Sequence, residues 1–360
     1  MIKEIGSNFY LSPGFLALGS SEHKILLPDI QSIKGTYLST CRSGIALILS
    51  ELQVGRKVAL LPAFTCESVL EPFLLHGFEV HPFSVSSNLS IDWSNLLREV
   101  NMYKPSVVLI HPYFGFEMYY DAENIIRRLR NMGIFVIEDL TQSMFSSFNL
   151  LPADYFVGSI RKWMPMPDGA FVSGIYKSLP EDTILSEAKI TAMLHKGYWI
   201  HSDLQDNKEK ERFRTELREA ENLLNARQCK AYAISQTSLR IYYSTDIEKM
   251  KSVRRENYAY LMEHLDTFAD LEILFKELPD NVCPFHMSVL VRKKRDMLQQ
   301  FLAQHHIYAT VIWACPKEFE NKINDEARYI YDHILCFHID QRYNTEDMEY
   351  IVEVLRKYYN

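Results

Sequence analysis

Apolar positions in the first half of the chain fall into short runs separated by polar, turn-prone stretches, and the spacing alternates between two kinds. The runs 58–64 (Val-Ala-Leu-Leu-Pro-Ala-Phe), 106–111 (Ser-Val-Val-Leu-Ile-His) and 133–139 (Gly-Ile-Phe-Val-Ile-Glu-Asp) are nearly continuous, without the period-two polarity of a half-solvated strand. A further strand is expected over 78–84. Between these runs, 45–52, 68–76, 92–101 and 121–131 carry their apolar residues at helical spacing. Strands buried on both faces and alternating with helices predict an α/β fold, a mainly parallel sheet flanked by helices. Ligands of such folds bind beyond the carboxyl ends of the strands.

The pattern changes at about Pro180. From there to Ala226 the chain reads as charged helix, and the mixed signs of 206–221 predict a solvated face. A long helix is expected from Asp246 to about Leu265. Strands over 283–291, 307–313 and 334–339 and helices over 295–305 and 345–358 follow, which make a compact α+β unit. The predicted organisation is a large domain over 1–245, with a helical insert at about 180–226, and a small C-terminal α+β domain over 246–360.

Composition narrows the class of function. A chain of 360 residues exceeds what one hydrophobic core usually serves, and 47% apolar with 24% charged residues is ordinary for a globular protein. The net charge of −7 and the lack of a basic motif disfavour nucleic acid and anionic membrane as partners. The N-terminal residues do not read as a secretory signal, and no apolar run approaches the roughly 20 residues that span a bilayer, so a cytoplasmic location is expected. The six cysteines never fall in a paired CxxC spacing, which predicts reduced thiols and no metal site.

The stretch Ser159-Ile-Arg-Lys162-Trp-Met-Pro-Met-Pro-Asp168-Gly169 sits between two expected strands, 154–158 and 170–175. An amine among Ile160, Trp163, Met164 and Met166 loses solvation, which favours its neutral, nucleophilic form. Such an amine forms Schiff bases with aldehydes, and pyridoxal 5'-phosphate (PLP) is the commonest biological aldehyde used so. The alternative is a loop lysine whose stem rests on Trp163. Ser43-Gly44 opens a helix and is either a phosphate-binding turn or an N-cap. Asp139 closes an apolar strand, which suits a helix cap or a partner for a cationic ring.

These pieces, with Leu61-Pro-Ala-Phe-Thr65, Glu138-Asp-Leu-Thr-Gln142, Ser159-Ile-Arg-Lys162, Asp168-Gly169, Arg254-Arg-Glu-Asn257 and Ile339-Asp-Gln-Arg-Tyr343 in this order, resemble the DegT/DnrJ/StrS family of PLP-dependent sugar aminotransferases, a branch of fold type I. The resemblance runs from about Thr36 to Tyr358. It implies a PLP-binding large domain and a small C-terminal domain, with amino transfer from an amino acid such as glutamate to a keto sugar carried on a nucleotide.

It further implies Lys162 as the residue that carries PLP and shuttles the proton, Asp139 as the acid at the pyridine nitrogen and Gln142 as the neighbour of the phenolic oxygen. Ser43, Gly44 and Ser159 would hold the phosphate, and active sites built at a subunit interface imply a homodimer. Cys66 stands where many members carry the aromatic that stacks on the pyridine ring, so Phe64 or Tyr113 is the expected replacement. Ala170 replaces the second glycine of Asp-Gly-Gly, Arg42 lies where Gly-Thr is common, and Asn225 is the counterpart considered for a partner-subunit asparagine. Two rival readings remain: a PLP-dependent sugar dehydratase, and a protein of this fold that binds or regulates without catalysis. Dehydrating members tend to replace the lysine by histidine, and here the lysine is present.

Overall fold

The computed structural model describes residues 4–12, 14, 34–117, 121–203 and 206–359. In chain order the elements of the first half are β1 (Gly35–Leu38), α1 (Cys41–Glu51), β2 (Val58–Pro62), α2 (Glu67–Leu75), β3 (Glu79–Phe83), α3 (Trp93–Tyr103), β4 (Val107–Ile110), α4 (Ala122–Asn131), β5 (Phe135–Asp139), β6 (Tyr155–Gly158) and β7 (Ala170–Ser173). Then come α5 (Thr183–Ile200), α6 (Asn207–Ala226), α7 (Gln236–Ser244), α8 (Ile247–Leu265), β8 (Leu271–Ile273), β9 (Met287–Val291), α9 (Arg295–Gln304), α10 (Asp325–His333), β10 (Ile334–Phe337) and α11 (Thr345–Tyr359). They fall into two compact units, neither of them one continuous segment: Asn8–Leu52 with Phe156–Thr245, and Ile2–Ser7 with Gln53–Tyr155 and Asp246–Asn360.

In the first unit β7 pairs antiparallel with both β1 and β6. α1 begins where Thr40 accepts the Ser43 N–H on its side chain, so Thr40, not the Ser-Gly pair, is the N-cap. The helix buries Ile45, Ile48 and Leu49. The expected charged insert is two helices. α5 buries Leu185, Ala192, Met193 and Trp199 along one side, whereas α6 buries only Phe213, Ala220 and Leu224. Some of the α6 charges pair along its surface, Arg212 with Glu216 and Arg214 with Glu211, as mixed charge at helical spacing predicts.

In the second unit β5, β4, β2 and β3 are parallel neighbours in that order. Every residue of β2 and β4 is buried, which explains their unbroken apolar runs. α3 starts at Asp92, whose carboxylate accepts the N–H groups of Ser94 and Asn95, and ends at Lys104 in the left-handed region. The C-terminal part of this unit carries an antiparallel sheet, β10-β9-β8, with α8 and α9 packed beside α11.

One expected strand is absent: 307–313 makes only single bridges, Ile307 to Ile5 and Thr310 to Cys336. Its β-branched residues have no continuous partner to pair with, and strand propensity follows context. The expected strand 283–291 is likewise confined to Met287–Val291. No helix among the described residues is long and apolar enough to cross a membrane.

Candidate functional site

Lys162 ends a single 3₁₀ turn, Ile160–Lys162, that leaves β6 immediately after Ser159. Ile160, Trp163, Met164 and Met166 are all buried around it, while the lysine itself is half-buried. The turn is locked in two places. The Arg161 N–H donates to the Gly169 carbonyl at 3.1 Å, and the Gly169 N–H to the Ser39 carbonyl at 2.8 Å. Gly169 takes φ +136°, and a Cβ there would stand 2.8 Å from the Met166 methyl, so the return into β7 requires glycine.

Asp168 is buried and receives the Ser235 hydroxyl at 2.8 Å, the Ser235 N–H at 3.2 Å and the Ser238 hydroxyl. Burial pushes its carboxyl up, and those donors with Arg161 pull it back. Because Ser235 caps α7, the carboxylate ties the lysine turn to a helix N-terminus. The sequence singled out Asp168 only as part of a motif, since its partners lie 67 and 70 residues away.

The other sequence-predicted residues of this unit are placed as follows. Ser159 is buried and extended. The Ser43 N–H is taken by the Thr40 side chain and the Gly44 N–H by the Thr40 carbonyl. The Ser43 hydroxyl donates to the Lys230 carbonyl at 3.0 Å. Arg42 donates to the side-chain Oδ1 of Asn225 at 3.0 Å within the same chain. Arg161 and Lys189 share Glu221, and burial together with the Arg161 charge pushes the Lys189 ammonium down to about 8.

In the second unit the chemistry gathers at the carboxyl ends of β2, β4 and β5. Asp139, buried at the end of β5, accepts the Thr141 N–H at 2.9 Å. Gln142 is buried and accepts the Phe114 N–H at 2.9 Å, which pins the turn after β4. That turn has Phe114 at φ +56° and Gly115 at +96°, with a Cβ on Gly115 only 2.1 Å from the Cys283 carbonyl.

Cys66 is the N-cap of α2, its thiol 3.0 Å from the Ser68 hydroxyl. His111, buried, bonds through Nε2 to the Thr65 hydroxyl at 3.1 Å. Phe64 and Tyr113, the rings expected to replace the stacking aromatic, are 0% and 1% exposed. They are core residues packed with Trp313 and Tyr331, and Tyr113 donates its hydroxyl to the Phe64 carbonyl at 2.6 Å, so neither presents a face. Trp313, half-buried on the irregular segment, packs at ring distance from His111.

Glu138 points to the opposite face from Asp139, and its Oε2 is buried without a hydrogen-bond partner. Burial, with the neighbouring Asp139 and Glu117 charges, pushes its carboxyl up to about 8 against the Leu151 N–H, so it is protonated at neutral pH.

Lys162 in the first unit offers a half-buried amine, and Asp139 and Gln142 in the second offer a buried strand-end acid and a buried amide; each is a residue type chemically suited to an aldehyde cofactor with a basic ring nitrogen. The Ser43 and Gly44 amides are already engaged within their own helix turn. Among the described residues no group of three or more His, Cys, Asp or Glu is placed to hold a metal ion, and the six cysteines are free thiols.

No protein-family model and no curated protein sequence matches the chain. Solved structures do. The sugar aminotransferase CalS13 from Micromonospora echinospora is similar with a TM-score of 0.65 at 15% identity, over 99% of this chain and 100% of that one. Helicobacter pylori PseC, an aminotransferase involved in the biosynthesis of pseudoaminic acid, is similar with a TM-score of 0.67 at 13% identity, over 99% of both chains. A GDP-4-keto-6-deoxymannose-3-dehydratase, ColD, solved as a point mutant with bound GDP-perosamine, gives 0.63 at 16% identity over 91% of this chain and 89% of that one. At these identities the likeness establishes a shared fold.

Proposed function

We propose that the chain is a PLP-dependent aminotransferase of the DegT/DnrJ/StrS kind, which moves an amino group from an amino acid, by analogy glutamate, to a keto sugar carried on a nucleotide. The observation that carries this reading is the position of Lys162: a half-buried amine on a one-turn connection, fixed by Gly169 and the Asp168 lock. End-to-end likeness of fold to two sugar aminotransferases supports it.

When bound, PLP supplies an electron sink for the carbon from which a proton leaves. Lys162 would hold the cofactor and move that proton between carbon atoms, a task for which the short turn limits the reach of the amine. Asp139, a carboxylate fixed at the end of β5 by the Thr141 N–H, would keep the proton on the ring nitrogen. Gln142 would place its amide beside the phenolic oxygen. Ser159, Ser43 and Gly44 would stand at the phosphate, where the Ser43 hydroxyl would exchange its Lys230 carbonyl for a phosphate oxygen. Cys66 would border the ring with a small polarizable side chain in place of an aromatic face. The protein would work as a homodimer in the cytoplasm.

A dehydratase is the second reading, favoured by the likeness to ColD. Lysine rather than histidine at position 162 weighs against it.

The test is direct. Purified protein given PLP and then borohydride is expected to lose its visible absorption band and to retain pyridoxyl mass on the peptide containing Lys162. Lys162→Ala is expected to bind PLP without turnover. Undiminished transamination by Lys162→Ala, or a fully active monomer in solution, overturns the corresponding part of the reading. Product analysis separates the two reactions, because amino transfer leaves the donor's nitrogen on the sugar, whereas dehydration releases it as ammonia and leaves a deoxy keto sugar.

A further inference from the structure

β4 and β5 run parallel with Leu109 opposite Ile137 and Ile110 opposite Glu138. One step further along the same register stand His111 and Asp139. Side chains alternate across a strand and neighbouring strands lie about 4.8 Å apart, so these two occupy one face of the sheet side by side, with Glu138 and Ile110 on the other. The imidazole is fixed from three sides. Its Nε2 meets the Thr65 hydroxyl at 3.1 Å, Tyr113 crosses it edge-on at 4.6 Å and Trp313 at 5.8 Å.

We infer that His111 is a positioning residue for Asp139, with Thr65 orienting the ring through Nε2 and Nδ1 directed at the carboxylate. The inference rests on the reading of Asp139 as the acid of the cofactor site, and it adds to that reading a residue that acts through it. A carboxylate held by Thr141 N–H on one oxygen and by an imidazole on the other keeps a single orientation and stays ionised, as the partner of a ring cation must. The groups packed against the imidazole include the Thr65 hydroxyl after β2, the Tyr113 ring after β4 and Trp313, and the strand register sets Asp139 on β5 beside it.

Two substitutions separate the ring nitrogens. The amide nitrogen of asparagine falls near the Nδ1 position of histidine, and that of glutamine near Nε2. His111→Asn therefore keeps a donor toward Asp139, and His111→Gln keeps one toward Thr65.

The experiment is a double-mutant cycle in the full chain with Asp139→Asn, read by chemical denaturation without cofactor and by equilibrium titration with PLP across pH. We expect His111→Gln to weaken PLP binding about tenfold in the wild-type background and less than twofold on Asp139→Asn. His111→Asn should restore most of the affinity, and denaturation should show non-additive losses for the same pair. The pH profile of PLP affinity should move on removing His111 only while Asp139 is present. Strictly additive losses, or a glutamine variant that outperforms asparagine, overturn the proposal. A chain that takes up no PLP yet denatures non-additively keeps the His111–Asp139 pair and removes the cofactor reading instead.

Discussion

Glu138 shows what one residue does to the pH dependence of the whole chain. Its carboxyl is buried with one oxygen unpartnered, and its pKa rises from the ordinary 4.5 to about 8. The folded state therefore binds a proton that the unfolded chain releases above about pH 4.5. The associated stability is complete below 4.5 and is lost as pH rises toward 8, by on the order of a few kcal/mol. Glu138→Gln keeps the shape and removes the titration. It is expected to melt like wild type at pH 5 and several degrees higher at pH 8.5. Thermal melts across pH 5–9 check this, and parallel profiles for the two proteins would show that Glu138 is ionised in the fold.

At the scale of elements, the lysine turn depends on two neighbours of different kinds. Asp168→Ala leaves the Ser235 N–H and the Ser235 and Ser238 hydroxyls without their shared acceptor, a loss of about 1–3 kcal/mol. Gly169→Ala forces a Cβ into a left-handed position against Met166 and Ile234, which costs at least about 1 kcal/mol. Gly44→Ala provides the contrast. Its Cβ would meet Leu38 and Val172 at 3.5 Å, ordinary contact inside a helix, so stability should hold or rise slightly. Denaturant midpoints of the three variants test the ranking, and a Gly169→Ala protein as stable as Gly44→Ala would contradict the account of the turn.

The elements also mark how far the sequence was legible. β2, β4 and β5 announced themselves because burial on both faces leaves unbroken apolar runs, and α3 and α8 because Asp92 and Asp246 cap them. The place of Lys162 on a short connection between two strands was legible because the runs on either side of it are apolar. What the sequence concealed was relational. The donors gathered on Asp168, the burial of Phe64 and Tyr113, and His111 beside Asp139 all depend on register or on partners far along the chain. β1 and β8, of four and three residues, are too short for any periodicity to emerge.

For the whole molecule, opposing titrations confine stability to a window of pH. Asp340 is fully buried, yet Arg342 at 2.7 Å, with Arg254 and His338, holds its carboxyl far below the ordinary carboxylate range against the cost of burial. Asp182 is lowered by its hydrogen bond to Arg227 at 2.6 Å, again against desolvation. For both, the folded pKa is depressed, so their stability is present above about pH 4 and lost as pH falls below it. Glu138 acts in the other direction from 4.5 upward, which places the highest melting temperature near pH 5–6.

Asp340→Asn tests the acid limb. Arg342 reaches both Asp340 and the Ser7 carbonyl, and Arg254 donates to the carbonyls of Pro284 and Phe285, so the carboxylate balances two guanidiniums that tie the C-terminal segment to its surroundings. Removing one partner of a buried ionic cluster costs about 3–5 kcal/mol, because the remaining charges stay buried. The variant is expected to melt well below wild type at pH 6, and the difference should shrink as pH falls from about 4 toward 3, where the unfolded wild-type chain takes up a proton that the folded carboxylate does not. A constant offset between the two melting curves across that range would mean that the cluster acts through packing rather than through its charge.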